Sequence, residues 1–101
     1  MENKFSTITL ICVNTGREKI MKLIDCFTIK GDIVLLSCLN ILEDSIKNMD
    51  TFWDMDKEKV RISDRLIVFG DASLTNEYVN ALVKYGESLG KTVIFLAADD
   101  S

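Results

Sequence analysis

The stretch DASLTNEYVN, residues 71 to 80, places two carboxylates, Asp71 and Glu77, in a turn of small and polar residues that runs into a helical pattern. The chain contains no histidine, so it lacks the commonest general base, the commonest metal ligand and every Ser-His or Cys-His mechanism. Acid–base chemistry therefore falls to carboxylates, tyrosine or lysine. Glu77 is open to two readings. It is either a catalytic group or an acid in the first helical turn, where the helix dipole favours negative charge by roughly 0.3–1 kcal/mol.

The elements that would position these groups alternate in type. FSTITLICV (5–13), DIVLLSCL (32–39), RLIVFG (65–70) and TVIFLAA (92–98) are continuous apolar or β-branched runs that predict strands buried on both faces. Between the first two, Thr15 with Glu18 forms a capping-box pattern, Ile20, Leu23, Ile24 and Phe27 make one helical stripe, and Gly31 is a stop. Residues 40–53 have no clean period and predict a loop with room for a helical turn, and DMDKEKVRIS (54–63) predicts a short charged helix. A further helix over 76–89 carries Val79, Leu82, Val83 and Leu89 on one face with the small Gly86 among them, and Gly90 ends it.

Strands that alternate with helices imply a small doubly wound α/β fold, a parallel sheet of about four strands in order 2-1-3-4 with helices on both faces. Ligands of such sheets bind beyond the carboxyl ends of the strands where the order reverses, here between the first and third strands. Asn14, Thr15 and Gly16 form one wall of that place, and Gly70, Asp71, Ala72 and Ser73 form the other.

A chain of 101 residues, 48% hydrophobic, fits one domain over 1–101. No apolar run reaches the roughly 18–20 residues that span a bilayer, and MENKFSTITL lacks the pattern of a signal peptide, so a soluble cytoplasmic protein with no membrane partner is expected. The twelve Lys and Arg are scattered among sixteen acids, giving a net charge of −4, which argues against nucleic acid. Cys12, Cys26 and Cys38 form no C-x-x-C pair and are expected to be reduced and buried; no metal and no cofactor is expected.

The order of pieces resembles the nucleoside 2-deoxyribosyltransferase-like superfamily, especially its short phage and bacterial members. The resemblance rests on ITLICVNT (8–15), DKEKVRISDRLIVF (56–69) and YGESLGKTVIFL (85–96), about a third of the chain in the expected order. It implies cleavage of the N-glycosidic bond of a deoxynucleoside or its phosphate, with a helix-borne glutamate trapping an oxocarbenium-like carbon as a sugar ester. That glutamate usually lies eight residues before the Gly of the closing Gly-Lys pair. Counting back from Gly90 gives Leu82, which cannot be a nucleophile.

Other positions depart too. Glu77 aligns with a different glutamate, at the helix start, and is a first-turn acid, a holder of a sugar hydroxyl or a relocated nucleophile. Asp71 stands where family enzymes often face the sugar with an acid, or is a turn former. Val13, Asn14 and Thr15 replace a Gly-Ser-Thr turn; Thr15 is kept, as a ligand contact or as a helix cap. Asp64 matches a structural acid. Arg61 stands in place of an aspartate and Asp56 in place of a histidine. Phe52 and Trp53 either cover the core or stack on a ligand.

The expected function is a nucleoside- or nucleotide-binding domain with impaired or lost N-glycosidic chemistry. Two alternatives stand beside it: an active deoxyribosyltransferase or nucleotide N-glycosidase using Glu77 or Asp71, and a small phage-type interaction or inhibitor protein that binds a protein partner through segment 40–58. The same segment would serve a homodimer.

Overall fold

The computed structural model describes residues 5–13, 15–38, 49–70 and 77–96. Strand β1 (Ser6–Val13) is buried without interruption from Ile8 to Val13. Successive side chains of a strand point to opposite faces, so such a run needs cover on both. Strand β3 (Arg65–Gly70) has the same character, and it pairs with β1 in parallel from Ile8↔Arg65 to Val13↔Gly70. Strand β2 (Asp32–Leu36) pairs with the other edge of β1, and β4 (Thr92–Leu96) with β3, both parallel. The order is β2-β1-β3-β4, as the sequence predicts.

Two apolar layers follow from the alternation. Ile11, Val13, Leu66 and Val68 meet Val60, Val79 and Leu82 from helices α2 (Met49–Ile62) and α3 (Glu77–Ser88). Ile8, Leu10, Cys12, Ile67 and Phe69 meet Ile20 and the half-buried Leu23, Ile24 and Phe27 of helix α1 (Arg17–Ile29) on the other side. The partition has a topological cause. The chain moves from β1 to β2 in one direction and from β2 to β3 to β4 in the other, and right-handed crossovers then put α1 on one face and α2 and α3 on the opposite one. Each fully buried large side chain, such as Leu66 or Leu82, contributes roughly 1.5–3 kcal/mol.

Six expectations need correction. The edge strands β2 and β4 are not buried on both faces, since Ile33 and Phe95 are exposed, and Leu89 follows the end of α3 and is exposed instead of sharing its apolar face. The helix after β1 begins at Arg17 with Gly16, which has no side chain to cap with, as its N-cap, and the Thr15 hydroxyl donates to the carbonyl of Val13 (3.0 Å). The third-quarter helix starts at Met49, not 54, so Phe52 and Trp53 lie on α2. Strand β2 ends at Leu36, where the chain turns toward α2. Cys12 and Cys38 are buried thiols, but Cys26 is exposed. Among the described residues no helix is long and apolar enough to cross a membrane.

Two glycines fix how the layers and ends meet. Lys91 N–H bonds to Gly86 O and Gly90 N–H to Glu87 O, both 3.0 Å, a Schellman stop that uses the positive φ of Gly90 (77°). Gly70 has φ 128°, and a Cβ there would lie 2.2 Å from the carbonyl oxygen of Val13. Backbone atoms cannot yield as a flexible side chain can, so Gly70→Ala is expected to cost at least about 2 kcal/mol. Gly16→Ala, which meets nothing within 4 Å, should stay within about 1 kcal/mol. Urea denaturation of the two variants checks the contrast.

Candidate functional site

Beyond Leu36 the β2 strand leaves the sheet, after Ser37 N–H makes a last bond to Leu10 O (2.9 Å). The next residues turn to a carboxylate on α2. Asp56 is 0% exposed. It accepts from Ser37 Oγ (3.0 Å), from Cys38 N–H (2.9 Å) and from the Tyr78 hydroxyl (2.7 Å). Lys59 Nζ stands 3.6 Å from it, one turn on, and donates to Leu36 O (2.7 Å) and Cys38 Sγ (3.5 Å). A lone buried carboxylate would be costly; three donors and an ammonium make this one tenable.

The aromatic neighbours fix the rim of this network. Trp53 and Tyr78 meet edge to face, with centroids 5.5 Å apart at 79°, and Lys57 Nζ lies 5.7 Å from the ring centres of both Trp53 and Tyr85. Below, Thr9 and Ser63, both fully buried, share a hydroxyl contact of 2.6 Å. Ser63 gives its single proton to Lys59 O (2.7 Å), so Thr9 is the donor in that pair. At the far end of the sheet Asp64 pairs with the Thr7 backbone in both directions (2.8 and 2.7 Å), and Arg65 with Asp32 (3.1 Å). Arg61 bonds Glu58 on the exposed side of α2.

The residues singled out in the sequence divide by location. Val13 pairs with Gly70, so the turns that follow β1 and β3 spring from adjacent strand ends. Thr15 is half-buried beside Val13, Gly16 is the exposed cap of α1, and Glu77 is an exposed acid in the first turn of α3. Asn14, Asp71, Ala72 and Ser73 lie outside the described residues, as does segment 39–48. Trp53 is half-buried against the α2/α3 core, on a helix instead of the expected loop. Leu82 is fully buried among Val60, Leu66 and Val79. Among the described residues no group of three His, Cys, Asp or Glu forms a metal site.

Asp56 was visible in the sequence only as a replacement for histidine. The signal that could have found it is spacing. Trp53, Asp56, Val60 and Ser63 recur at i, i+3, i+7 and i+10, one helical stripe in which two of the four members are polar.

No family model matches the chain, and no curated protein matches it in sequence. Among solved structures it is similar to the CMP N-glycosidase BcmB of Clostridium botulinum, with a TM-score of 0.65 and 18% identity, over 94% of this chain and 71% of that one. That likeness agrees, at the level of the fold, with the doubly wound sheet.

The network carries two measurable consequences. Asp56→Ala would strand three donors, two of them on the fully buried Ser37 and Cys38, and is expected to cost about 3–5 kcal/mol in urea denaturation, whereas Tyr78→Phe removes one donor to a charged acceptor and should cost roughly 1.5–3 kcal/mol.

Alkaline pH acts on the same region and on the sheet. Burial raises the Cys12 thiol from 9.0 to about 11. Burial, followed by the charge of Asp56, raises Cys38; burial, followed by the Asp56 hydrogen bond, raises Tyr78. Each group is neutral when folded and ionises earlier when unfolded, so its contribution is full below its ordinary pKa and is lost as pH rises. For Cys12 the window runs from pH 9 to about 11. The urea midpoint should fall between pH 8 and 10.5, and Cys12→Ala should flatten that fall.

Proposed function

We propose that this chain is a nucleoside- or nucleotide-binding domain on a nucleoside 2-deoxyribosyltransferase-like scaffold, with the N-glycosidic chemistry of that superfamily impaired or lost. The observation that carries the proposal is the setting of Leu82. Its position relative to Gly90 is the one where the resemblance puts the nucleophile, and its side chain is fully enclosed by Val60, Leu66 and Val79. A hydrocarbon in that place can neither attack an anomeric carbon nor stabilise positive charge on one.

Binding is a separate matter from cleavage. The carboxyl ends of β1 and β3 adjoin at Val13 and Gly70, at the reversal of strand order, and helices α1 and α3 begin there. Such ends supply backbone N–H groups and a positive dipole, which suit the anionic or polar parts of a nucleotide. Thr15 and Gly16 on one side, with Asn14, Asp71 and Ser73 as sequence candidates, would line it. The similarity in fold to a CMP N-glycosidase supports a nucleotide as the ligand class.

Ligand-observed NMR with mixed nucleosides, deoxynucleosides and their monophosphates, followed for a day, tests both halves. Selective line broadening without new anomeric or free-base signals is the expected outcome. Products would overturn the loss of chemistry and direct attention to Glu77 and Asp71, through Glu77→Gln and Asp71→Asn. No broadening would overturn the nucleotide ligand and favour a protein partner. Leu82→Glu is expected to lose stability and gain no glycosidase activity, because a carboxylate placed in that apolar layer has no partner; circular dichroism and the same NMR assay check this.

A further inference from the structure

Asp56 cannot meet a ligand itself, being fully enclosed and already engaged by three hydrogen-bond donors and Lys59. Tyr78 stands differently. It is half-buried, the second residue of α3, and thus belongs to the same end of the sheet as Val13 and Gly70, the carboxyl ends of β1 and β3. Its one hydroxyl proton is donated to Asp56 at 2.7 Å, and its ring is held by the edge-to-face contact with Trp53. A phenol whose proton is committed has only its lone pairs left to offer. Tyr78 Oη is therefore an acceptor in a fixed place.

The charge behind it narrows what can approach. A phosphate or a carbonyl oxygen is itself an acceptor, and a phosphate would also face the nearby negative charge of Asp56, so neither pairs with this oxygen. A neutral donor does. Sugar hydroxyls are the neutral donors that every nucleoside carries whatever its base.

We infer that Tyr78 is a specificity residue of the nucleotide site, accepting a hydrogen bond from a sugar hydroxyl, while Asp56 is a positioning residue that keeps the tyrosine proton turned away. This rests on the ligand class proposed above. The upward displacement of the Tyr78 pKa, caused first by burial and then by Asp56, keeps the phenol neutral, which matches a role in recognition and not in proton transfer.

The test is a titration of wild type and Tyr78→Phe with CMP, 2′-deoxy-CMP and 2′,3′-dideoxy-CMP, with circular dichroism confirming that the variant is folded. Tyr78→Phe should weaken CMP by about three- to tenfold and leave the dideoxy nucleotide unchanged, so that the preference for hydroxyl-bearing ligands collapses. Ser37→Ala removes another donor to the same carboxylate and should leave that preference intact. An equal loss for CMP and its dideoxy form, or no loss for either, overturns the role of Tyr78 while the nucleotide site stands. Failure of the wild type to bind any of the three overturns both.

Discussion

A single buried carboxylate sets the conditions for one side of this molecule. Asp56 has no access to water, and an unpaired charge in such a place would cost several kcal/mol. It is tenable only while the end of β2, the middle of α2 and the first turn of α3 are all in place, since each gives it a donor or a cation. These three elements lie far apart in the chain, so the network forms only with the completed fold. Hydrophobic burial stabilises the two layers without specifying one arrangement of them; the Asp56 bonds have directions and accept few alternatives.

This division explains what could be read in advance. The four strands, their parallel order and helix α3, though not the place of Leu89 beyond its end, are written in long apolar runs and regular stripes. The start of α2 was not legible because its first turn, MDTFW, sets Phe52 and Trp53 side by side and shows no helical spacing of its own. Thr15 misled for a local reason. The helix starts one residue later than the pattern implied, with Gly16 as its N-cap, and the hydroxyl donates back to the Val13 carbonyl. The partners of Asp56 were beyond any spacing rule, because Ser37, Cys38 and Tyr78 come to it through tertiary contact.

The site shows the same contrast. Topology alone points to the adjoining ends of β1 and β3, and that much follows from strand order. Chemistry at that location depends on individual side chains. Leu82 belongs to the apolar layer as fully as Val79 or Leu66 does, so the fold has no use for a charge at that point. Fold similarity to a glycosidase therefore carries the frame and not the activity.

The pairing of Val13 with Gly70 has a consequence for how this frame can change. The polar segments after the two strands are rooted one strand spacing apart, about 4.8 Å, by backbone atoms and not by side chains. Substitutions within either segment leave that separation untouched, so side chains there can change without the frame being specified anew. Gly70 is the exception: any side chain there would push against the Val13 carbonyl and part the roots, so both segments hinge on one position that only glycine fills without strain.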